Sequence, residues 1–420
     1  MSGLPEGPRL TSLLRQRNFG LLWFGGLVSF TGDWILFTGL PLFVFDLTGS
    51  TLSTAGVFAA SMLPRIVWGS LAGVLVDRWD RRRTLVATNL VQAVGLLPLL
   101  LVDSHGRLWI VYAVAFFQAS LEELATPAEG ALLPRLVPEA ELVTANALNS
   151  LNNNLARLTG PVIAGFTIVA AGLQGIAVLD AVSFLTAAGL IAAIRVDARA
   201  SQPAAPDEVA GAITRFWRQW LDGIRLIRRT RVATVLLAVA ALTGLGEGVL
   251  IAIFVPFVTE TLDGGQVGYG VVLSAQAVGG LAGGVLIARF AGAASPARLL
   301  GVGAIGIGLI DVVIFTYPLV ISGIALALVL FVVVGLPVAA YAAGLGTLRQ
   351  TAVEDAYRGR LLGAYGATLA LSILIGTLAG GALGEAIDLL PLLLVQSAVY
   401  TLAGVLVLVA LGRGKRPAGA

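Results

Sequence analysis

The sequence contains no cysteine, a single histidine and few charged residues. Only 12% of its 420 residues are charged, whereas 57% are hydrophobic and the mean hydropathy is +0.91. The lack of cysteine excludes disulfides and thiolate metal sites, and one histidine cannot form a histidine cluster. A soluble protein of this length could not cover its surface with so few charges, so we predict an integral membrane protein.

The sequence also lacks the motifs of ATP-driven pumps and of common membrane enzymes. It has no G-x-x-x-x-G-K-[ST] nucleotide-binding loop, so any transport must be driven by a gradient. It has no G-x-S-x-G element and no cysteine nucleophile, which disfavours a hydrolytic enzyme. We therefore expect neither an enzyme nor a cofactor or metal. The slight excess of basic residues gives no reason to expect nucleic acid as a partner.

Apolar runs long enough to form a spanning helix, about 20 residues, occur twelve times. The longest stretch between them, 196–231, leaves six runs on either side. The predicted fold is therefore all-α, with twelve transmembrane helices in two pseudo-symmetric six-helix bundles, residues 1–195 and 232–420. The linker contains an amphipathic segment, 215–229, that is expected to lie in the headgroup layer. The runs lie roughly at 19–45, 54–76, 84–102, 108–128, 145–171, 175–195, 232–258, 268–289, 298–316, 320–346, 360–381 and 389–411.

The placement of the basic residues predicts the orientation. With the N-terminus in the cytoplasm, 24 of the 27 Lys and Arg residues fall in cytoplasmic tails and loops. Positive charge is enriched on that side of membrane proteins. We therefore expect both termini in the cytoplasm. The further expectations are a bacterial inner membrane and a monomer.

The two halves of the chain resemble each other at three places, with offsets between 211 and 216 residues. Such spacing indicates an internal duplication, which is typical of secondary transporters. One match places an acid in a spanning helix of each half, Asp33 and Glu247. The matched segments are Gly32-Asp33-Trp34 with Gly246-Glu247-Gly248, Gly73–Arg78 with Gly284–Arg289, and Gly160–Gly165 with Gly376–Gly381.

A loop motif follows the second apolar run. The segment Gly73-Val-Leu-Val-Asp77-Arg78-Trp-Asp-Arg-Arg82-Arg resembles the signature G-x-L-x-D-R-x-G-R-R of the major facilitator superfamily, with Asp80 in place of the second glycine. The resemblance implies the twelve-helix fold of that family. It also implies that Asp77, Arg78 and Arg82 form a conformational latch with a neighbouring helix end.

A second motif lies in the fifth apolar run. The segment from Ala156 to Gly165, which contains Gly160 and Pro161, resembles the antiporter motif g-x-x-x-G-P-x-x-G-G found in drug/proton exporters of the superfamily. Within the superfamily, Gly32-Asp33-Trp34, the loop Asp77-Arg-Trp-Asp-Arg-Arg82 and Asn146-Ala-Leu-Asn149 before Gly160-Pro161 resemble the branch of macrolide-efflux and enterobactin-export proteins. Pro161 frees a backbone carbonyl, so a bend or hinge is expected there.

Ionisable residues within the apolar runs are the candidate transport site. A charge at the bilayer centre costs about 2.5–3.5 kcal/mol or more, so each must be paired, neutralised or placed in a water-filled cavity. Glu122 and Glu123 are expected at a shallower, cytoplasmic depth. At about 1.5 Å per residue, five others share a level roughly 20 Å from the cytoplasmic ends: Asp33, Arg65, Arg157, Glu247 and Asp311.

Two interpretations of these charges remain open. The acids exceed Arg65 and Arg157 by three, and the surplus acids could bind protons or a cationic substrate. Alternatively, Asp33 pairs permanently with one of the arginines and holds helices together. Asp311 is expected to be structural. A polar stripe of Asn146, Asn149, Asn153 and Arg157 should face the cavity or another helix, and Trp34 could contribute an aromatic wall.

The predicted function is proton-coupled efflux of amphiphilic or cationic small molecules by alternating access. The expected partners are a small-molecule substrate, protons and the lipid bilayer. Export of a siderophore or a lysolipid-like molecule, an uncoupled facilitator, and a receptor that transports nothing are the alternatives. An acidic cavity disfavours an anionic siderophore, and a receptor would leave the latch motif unexplained.

Overall fold

The computed structural model describes residues 10–76, 79–196, 230–290, 294–353 and 355–412, with side chains except at 10, 11, 66–76, 355 and 356. This part of the chain is helical almost throughout and contains no β-strand. The amphipathic segment 215–229 lies outside the described residues. The helices are α1 Leu10–Arg15, α2 Arg17–Thr48, α3 Thr51–Val76, α4 Arg81–Gly95, α5 Leu108–Leu136, α6 Leu142–Ala192, α7 Arg231–Pro256, α8 Gly265–Phe290, α9 Pro296–Thr316, α10 Ala325–Thr351, α11 Asp355–Gly384 and α12 Leu389–Leu411.

Ten helical segments in the described residues are long and apolar enough to cross a membrane. One of them, Glu139–Ala192, has 54 residues, and its helix is interrupted at Gly172, where φ is +60° and ψ is −160°. Glycine suits this break because a positive φ costs it little. The break separates the two runs that were predicted at 145–171 and 175–195. The all-helical membrane fold is thus confirmed, while the total of twelve spans and the internal duplication stay predictions.

Large apolar side chains point outward along these helices. Phe166, Val285 and Val409 are 58%, 68% and 69% exposed. In water such surfaces would aggregate, but hydrocarbon chains cover them without cost.

Contacts divide the chain into two compact units. The first consists of residues 1–43 and 60–213, and the second of residues 44–59 and 214–420. In the first unit, a buried cluster that includes Leu13, Phe19, Trp23 and Leu132 joins α1, α2 and α5. In the second, a buried cluster around Leu236, Leu300 and Tyr365 joins α7, α9 and α11.

Glycines allow very close helix contacts in the second unit. At the crossing of α8 and α10, a Cβ built on Gly279 would lie 2.1 Å from the backbone oxygen of Val332, and one on Gly335 would lie 2.0 Å from the backbone carbon of Gly279. A Cβ on the adjacent Gly280 would meet nothing within 4 Å. Membrane helices lack a hydrophobic force that drives them together, so such close packing supplies much of their association energy.

We predict that Gly279→Ala destabilises the protein by about 1–3 kcal/mol, because the added methyl group forces α8 and α10 apart. Gly280→Ala is the matched control and should be neutral or slightly stabilising, since alanine favours helix over glycine by about 1 kcal/mol. Thermal unfolding of the purified proteins in detergent measures both. Equal midpoints for the two variants would contradict the close contact.

Candidate functional site

A polar cavity lies within the first unit, between α2, α4, α5 and α6. The space open to the centres of water molecules is about 40 Å³. That is room for a few waters, since one needs about 10–15 Å³. The residues lining the cavity are Leu22, Gly26, Ser29, Phe30, Asp33, Leu85, Asn89, Gln92, Glu122, Ala125, Thr126, Glu129, Phe184 and Ile191.

Three of the lining residues are acidic, and none of the residues lining this cavity is basic. Asp33 and Glu129 are half-buried, while Glu122 is exposed. Glu129 accepts a hydrogen bond from Asn149 Nδ2 at 3.2 Å. Three carboxylates in one membrane cavity repel one another strongly, because the surrounding low dielectric screens them poorly. The cavity is therefore suited to bind protons or a cation.

The wall on α4 presents two buried amides, Asn89 and Gln92. Asn89 Nδ2 donates to the backbone oxygen of Leu85 at 2.7 Å, and Asn89 Oδ1 has no hydrogen-bond partner in the described part of the chain. Gln118 Nε2 donates to the backbone oxygen of Gln92 at 2.8 Å and joins α5 to α4. The amides add neutral hydrogen-bonding groups to a wall that is otherwise apolar.

The asparagines of the predicted stripe on α6 do not all face the cavity. Asn149 reaches Glu129 at the cavity, whereas Asn146 and Asn153 are exposed. The neighbouring Asn152 is buried and donates to the backbone oxygen of Trp23 at 2.7 Å. Trp23 Nε1 in turn donates to the backbone oxygen of Leu148 at 2.9 Å, so these two residues fasten α2 to α6.

The antiporter-like motif forms the contact between α6 and α2 at Trp34. A Cβ on Gly160 would lie 2.4 Å from Trp34 Cβ, so only glycine permits this approach. Arg157, one turn earlier, places its guanidinium carbon 5.7 Å from the centre of the Trp34 ring. Pro161 and Gly165 are both buried in the helix, and the described break in α6 lies at Gly172 rather than at Pro161.

Two further predicted charges lie outside the lining of the cavity. Arg65 on α3 is exposed, and Glu123 on α5 is half-buried. Glu122 and Glu123 are adjacent on the helix and therefore diverge by about 100°. The structure accordingly brings Glu122, and not Glu123, to the cavity with Asp33.

In the second unit, Glu247 lies in a group of tyrosines. Its Oε2 accepts a hydrogen bond from Tyr400 Oη at 2.9 Å. The rings of Tyr400 and Tyr341 are 6.2 Å apart, and the Tyr341 hydroxyl lies 3.2 Å from Thr243 Oγ1. One turn before Tyr400 on α12, Gln396 Nε2 donates to the buried Asp311 at 3.0 Å.

Of the residues predicted to form the latch, Arg82 has a described side chain. Arg82 donates a hydrogen bond to the backbone oxygen of Ala192, and Arg17 donates to that of Ala193 at 3.3 Å. Basic groups are favoured at the partly negative C-terminus of a helix such as α6. Gly73 lies in α3, and Asp77 and Arg78 lie outside the described residues.

Asp80, the departure from the signature, has a local structural role. Its Oδ1 accepts the backbone N–H of Arg83 at 2.8 Å, and Asp80 is thereby the N-cap of α4. Aspartate is among the residues preferred at this position, whereas glycine would provide no side-chain acceptor.

Sequence reasoning missed Glu129, Asp180 and Tyr400. Glu129 lies one residue beyond the predicted end of its span, but α5 continues to Leu136. Tyr400 belongs to a residue type that in membrane helices mostly serves packing, and only the fold shows that it reaches Glu247. Asp180 could have been recognised from the sequence, because it is an isolated acid within the sixth apolar run.

The fold and the motifs agree with comparisons with known proteins. Macrolide efflux protein A of Streptococcus pyogenes is 25% identical over 360 residues, which cover 85% of this chain and 87% of that protein. The multidrug efflux pump Tap of Mycolicibacterium fortuitum is 27% identical over 401 residues, covering 92% and 93%. The crystal structure of a bacterial homologue of the iron transporter ferroportin, in an inward-facing state, shares the fold with a TM-score of 0.71 at 18% identity, covering 94% of this chain and 98% of that one.

A match to the transmembrane secretion effector family extends from residue 10 to residue 415, almost the whole chain. This confirms the resemblance drawn from the loop motif and from the antiporter-like segment. The chain is therefore a membrane transporter of the major facilitator superfamily and belongs to its transmembrane secretion effector family.

Proposed function

We propose that this protein exports amphiphilic or cationic small molecules in exchange for protons, by alternating access of bundles 1–195 and 232–420. The observation on which the proposal rests is the cavity lined by Asp33, Glu122 and Glu129 without a basic residue among its lining. Two relatives named for macrolide and multidrug efflux support the export of small molecules. Glu247, in the second unit, is proposed as a further residue for proton coupling or substrate binding.

The proposed exchange follows from charge balance. A cavity with several carboxyl groups holds either protons or a positively charged guest, because leaving all the acids ionised and unpaired costs several kcal/mol. Protons arriving from the outside neutralise the carboxylates and release the guest. Protons leaving to the cytoplasm restore the negative charge that binds the next guest.

Residues around the cavity would recognise the substrate, and the latch residues would control the conformational change. Trp34 and Phe37, whose rings lie 5.2 Å apart edge to face, add an aromatic surface on α2. Arg157, whose guanidinium lies over the Trp34 ring, would add a fixed positive charge to that aromatic surface. Arg82, with Asp77 and Arg78, would act as the latch. Asn149 would orient Glu129, and Arg65 and Glu123 would serve the cytoplasmic side of the path.

The test is transport by the purified full chain in proteoliposomes under an imposed pH gradient. Ethidium is a suitable cationic probe and erythromycin a suitable macrolide. A gradient of one pH unit is worth about 1.4 kcal/mol per proton, so one-for-one exchange should concentrate the probe about tenfold. Movement of both probes without concentration would instead indicate an uncoupled facilitator.

We predict that Asp33→Asn abolishes concentration of the probe driven by the pH gradient but leaves exchange of labelled for unlabelled probe intact. The amide keeps the shape of the site but cannot bind and release a proton. Glu139→Gln is the matched control, since Glu139 is exposed in the short turn that precedes α6. Unaltered accumulation by Asp33→Asn would remove this residue from the coupling mechanism.

We predict that Tyr400→Phe impairs accumulation through Glu247, because it removes the hydroxyl that donates to that carboxylate. A hydrogen bond to a charged group contributes about 1.5–3 kcal/mol. In a double-mutant cycle, Tyr400→Phe should therefore have little further effect once Glu247 is replaced by Gln. Tyr269→Phe, a buried tyrosine packed on Phe254, is the control. Additive effects of the two changes would show that Tyr400 acts independently of Glu247.

A further inference from the structure

Asp180 is a fully buried acid for which the mechanism above has no use. It lies on α6 beyond the break at Gly172, and it has no exposed surface. Its Oδ1 lies 3.1 Å from Ser183 Oγ, which also donates to the backbone oxygen of Asp180 at 2.8 Å. Its Oδ2 has no hydrogen-bond partner within the described part of the chain.

The carboxyl group of Asp180 lies against the backbone that carries Asp33. A Cβ built on Gly32 would be 2.2 Å from Asp180 Oδ1 and 2.1 Å from Ser183 Oγ. Glycine at position 32 is therefore what allows the acid of α6 to approach α2 one residue before Asp33. Phe184, one turn after Asp180 on the same helix, lines the cavity together with Asp33. Asp180 is thus placed directly beside the proposed coupling site.

In the described part of the chain, no basic side chain is hydrogen-bonded to the carboxyl group of Asp180. The neighbouring cavity is lined by the acids Asp33 on α2 and Glu122 and Glu129 on α5, and by the neutral Asn89 and Gln92 on α4. On the same helix, the guanidinium carbon of Arg157 lies 5.7 Å from the centre of the Trp34 ring. A buried carboxylate without a cation or a full set of donors is strongly unfavourable, so the neutral form is the one that this environment stabilises.

We propose that Asp180 is a second proton-binding residue and forms, across Gly32, a carboxyl pair with Asp33 that retains at least one proton throughout the transport cycle. The proposal rests on the proton coupling proposed above. One proton moves between the two groups, so that one carboxyl is neutral while the other is ionised. The second proton of the pair is the one exchanged with the cavity. Interacting carboxyl groups of this kind titrate as a pair, in two separated steps.

The test is infrared difference spectroscopy of the purified full chain in lipid vesicles during a pH titration, with isotope-labelled aspartate. This readout follows protonation of the carboxyl groups and needs no substrate. We predict two separated steps in the native protein. Asp180→Asn and Asp33→Asn should each leave a single step at an intermediate pH, displaced by about one unit or more from both native midpoints.

A buried aspartate elsewhere provides the matched control. Asp311→Asn removes an acid that is 6% exposed and hydrogen-bonded to Gln396 in the second unit, and it should leave both steps in place. If Asp180→Asn folds poorly, Ser183→Ala removes the hydroxyl beside Oδ1 and should displace the same steps. A purely structural Asp180 predicts that the Asp33 midpoint is unchanged in Asp180→Asn and in Ser183→Ala, and that result would overturn the proposal.

The infrared titration and the transport assay can fail independently of each other. Two coupled steps in vesicles that fail to concentrate ethidium would preserve the carboxyl pair and reject proton-driven export of that cation. Gradient-driven export combined with an unchanged Asp33 midpoint in Asp180→Asn would preserve the function and reject the pair.

Discussion

The cost of placing charge in hydrocarbon governs this molecule. Each spanning helix satisfies its own backbone hydrogen bonds, so apolar side chains can face the lipid freely, whereas an ionisable side chain needs water, a partner or a proton. The structure meets that need by gathering acids where several helices meet. Asp33, Glu122 and Glu129 come from α2 and α5 and line one cavity with the amides of α4. No single helix could shelter them.

Close helix packing and the polar sites depend on the same glycines. Gly32 allows Asp180 to reach the backbone beside Asp33, and Gly160 allows α6 to lie against Trp34. In the second unit, a Cβ on Gly248 would lie 2.2 Å from the backbone oxygen of Ile373 on α11. Gly248 directly follows Glu247, so the acid lies beside a close contact of α7. Small residues therefore serve both the association of helices and the position of the acids.

The two units hold their acids in different ways. In the first, the acids share one cavity, and Glu129 accepts a hydrogen bond from the neutral amide of Asn149. In the second, Glu247 accepts from Tyr400 and Asp311 from Gln396, two residues one turn apart on α12. Hydroxyl and amide donors stabilise carboxylates without a countercharge. The first unit is for this reason the better candidate for proton exchange, and the second for an orienting or recognition role.

The sequence alone determined what depends on composition and local pattern. The apolar runs predicted a helical membrane protein, and the loop motif indicated the superfamily. The isolated acids Asp33, Glu122 and Glu247 were recognised as candidate site residues. It missed Glu129 because the end of α5 is set by packing and not by hydropathy. The tertiary structure decided which residues come together: Asp33 and Glu129 at one cavity, Asp180 beside Gly32, and Glu247 with Tyr400. These contacts join residues up to 153 positions apart, and helical periodicity relates only neighbours within a few turns of one helix.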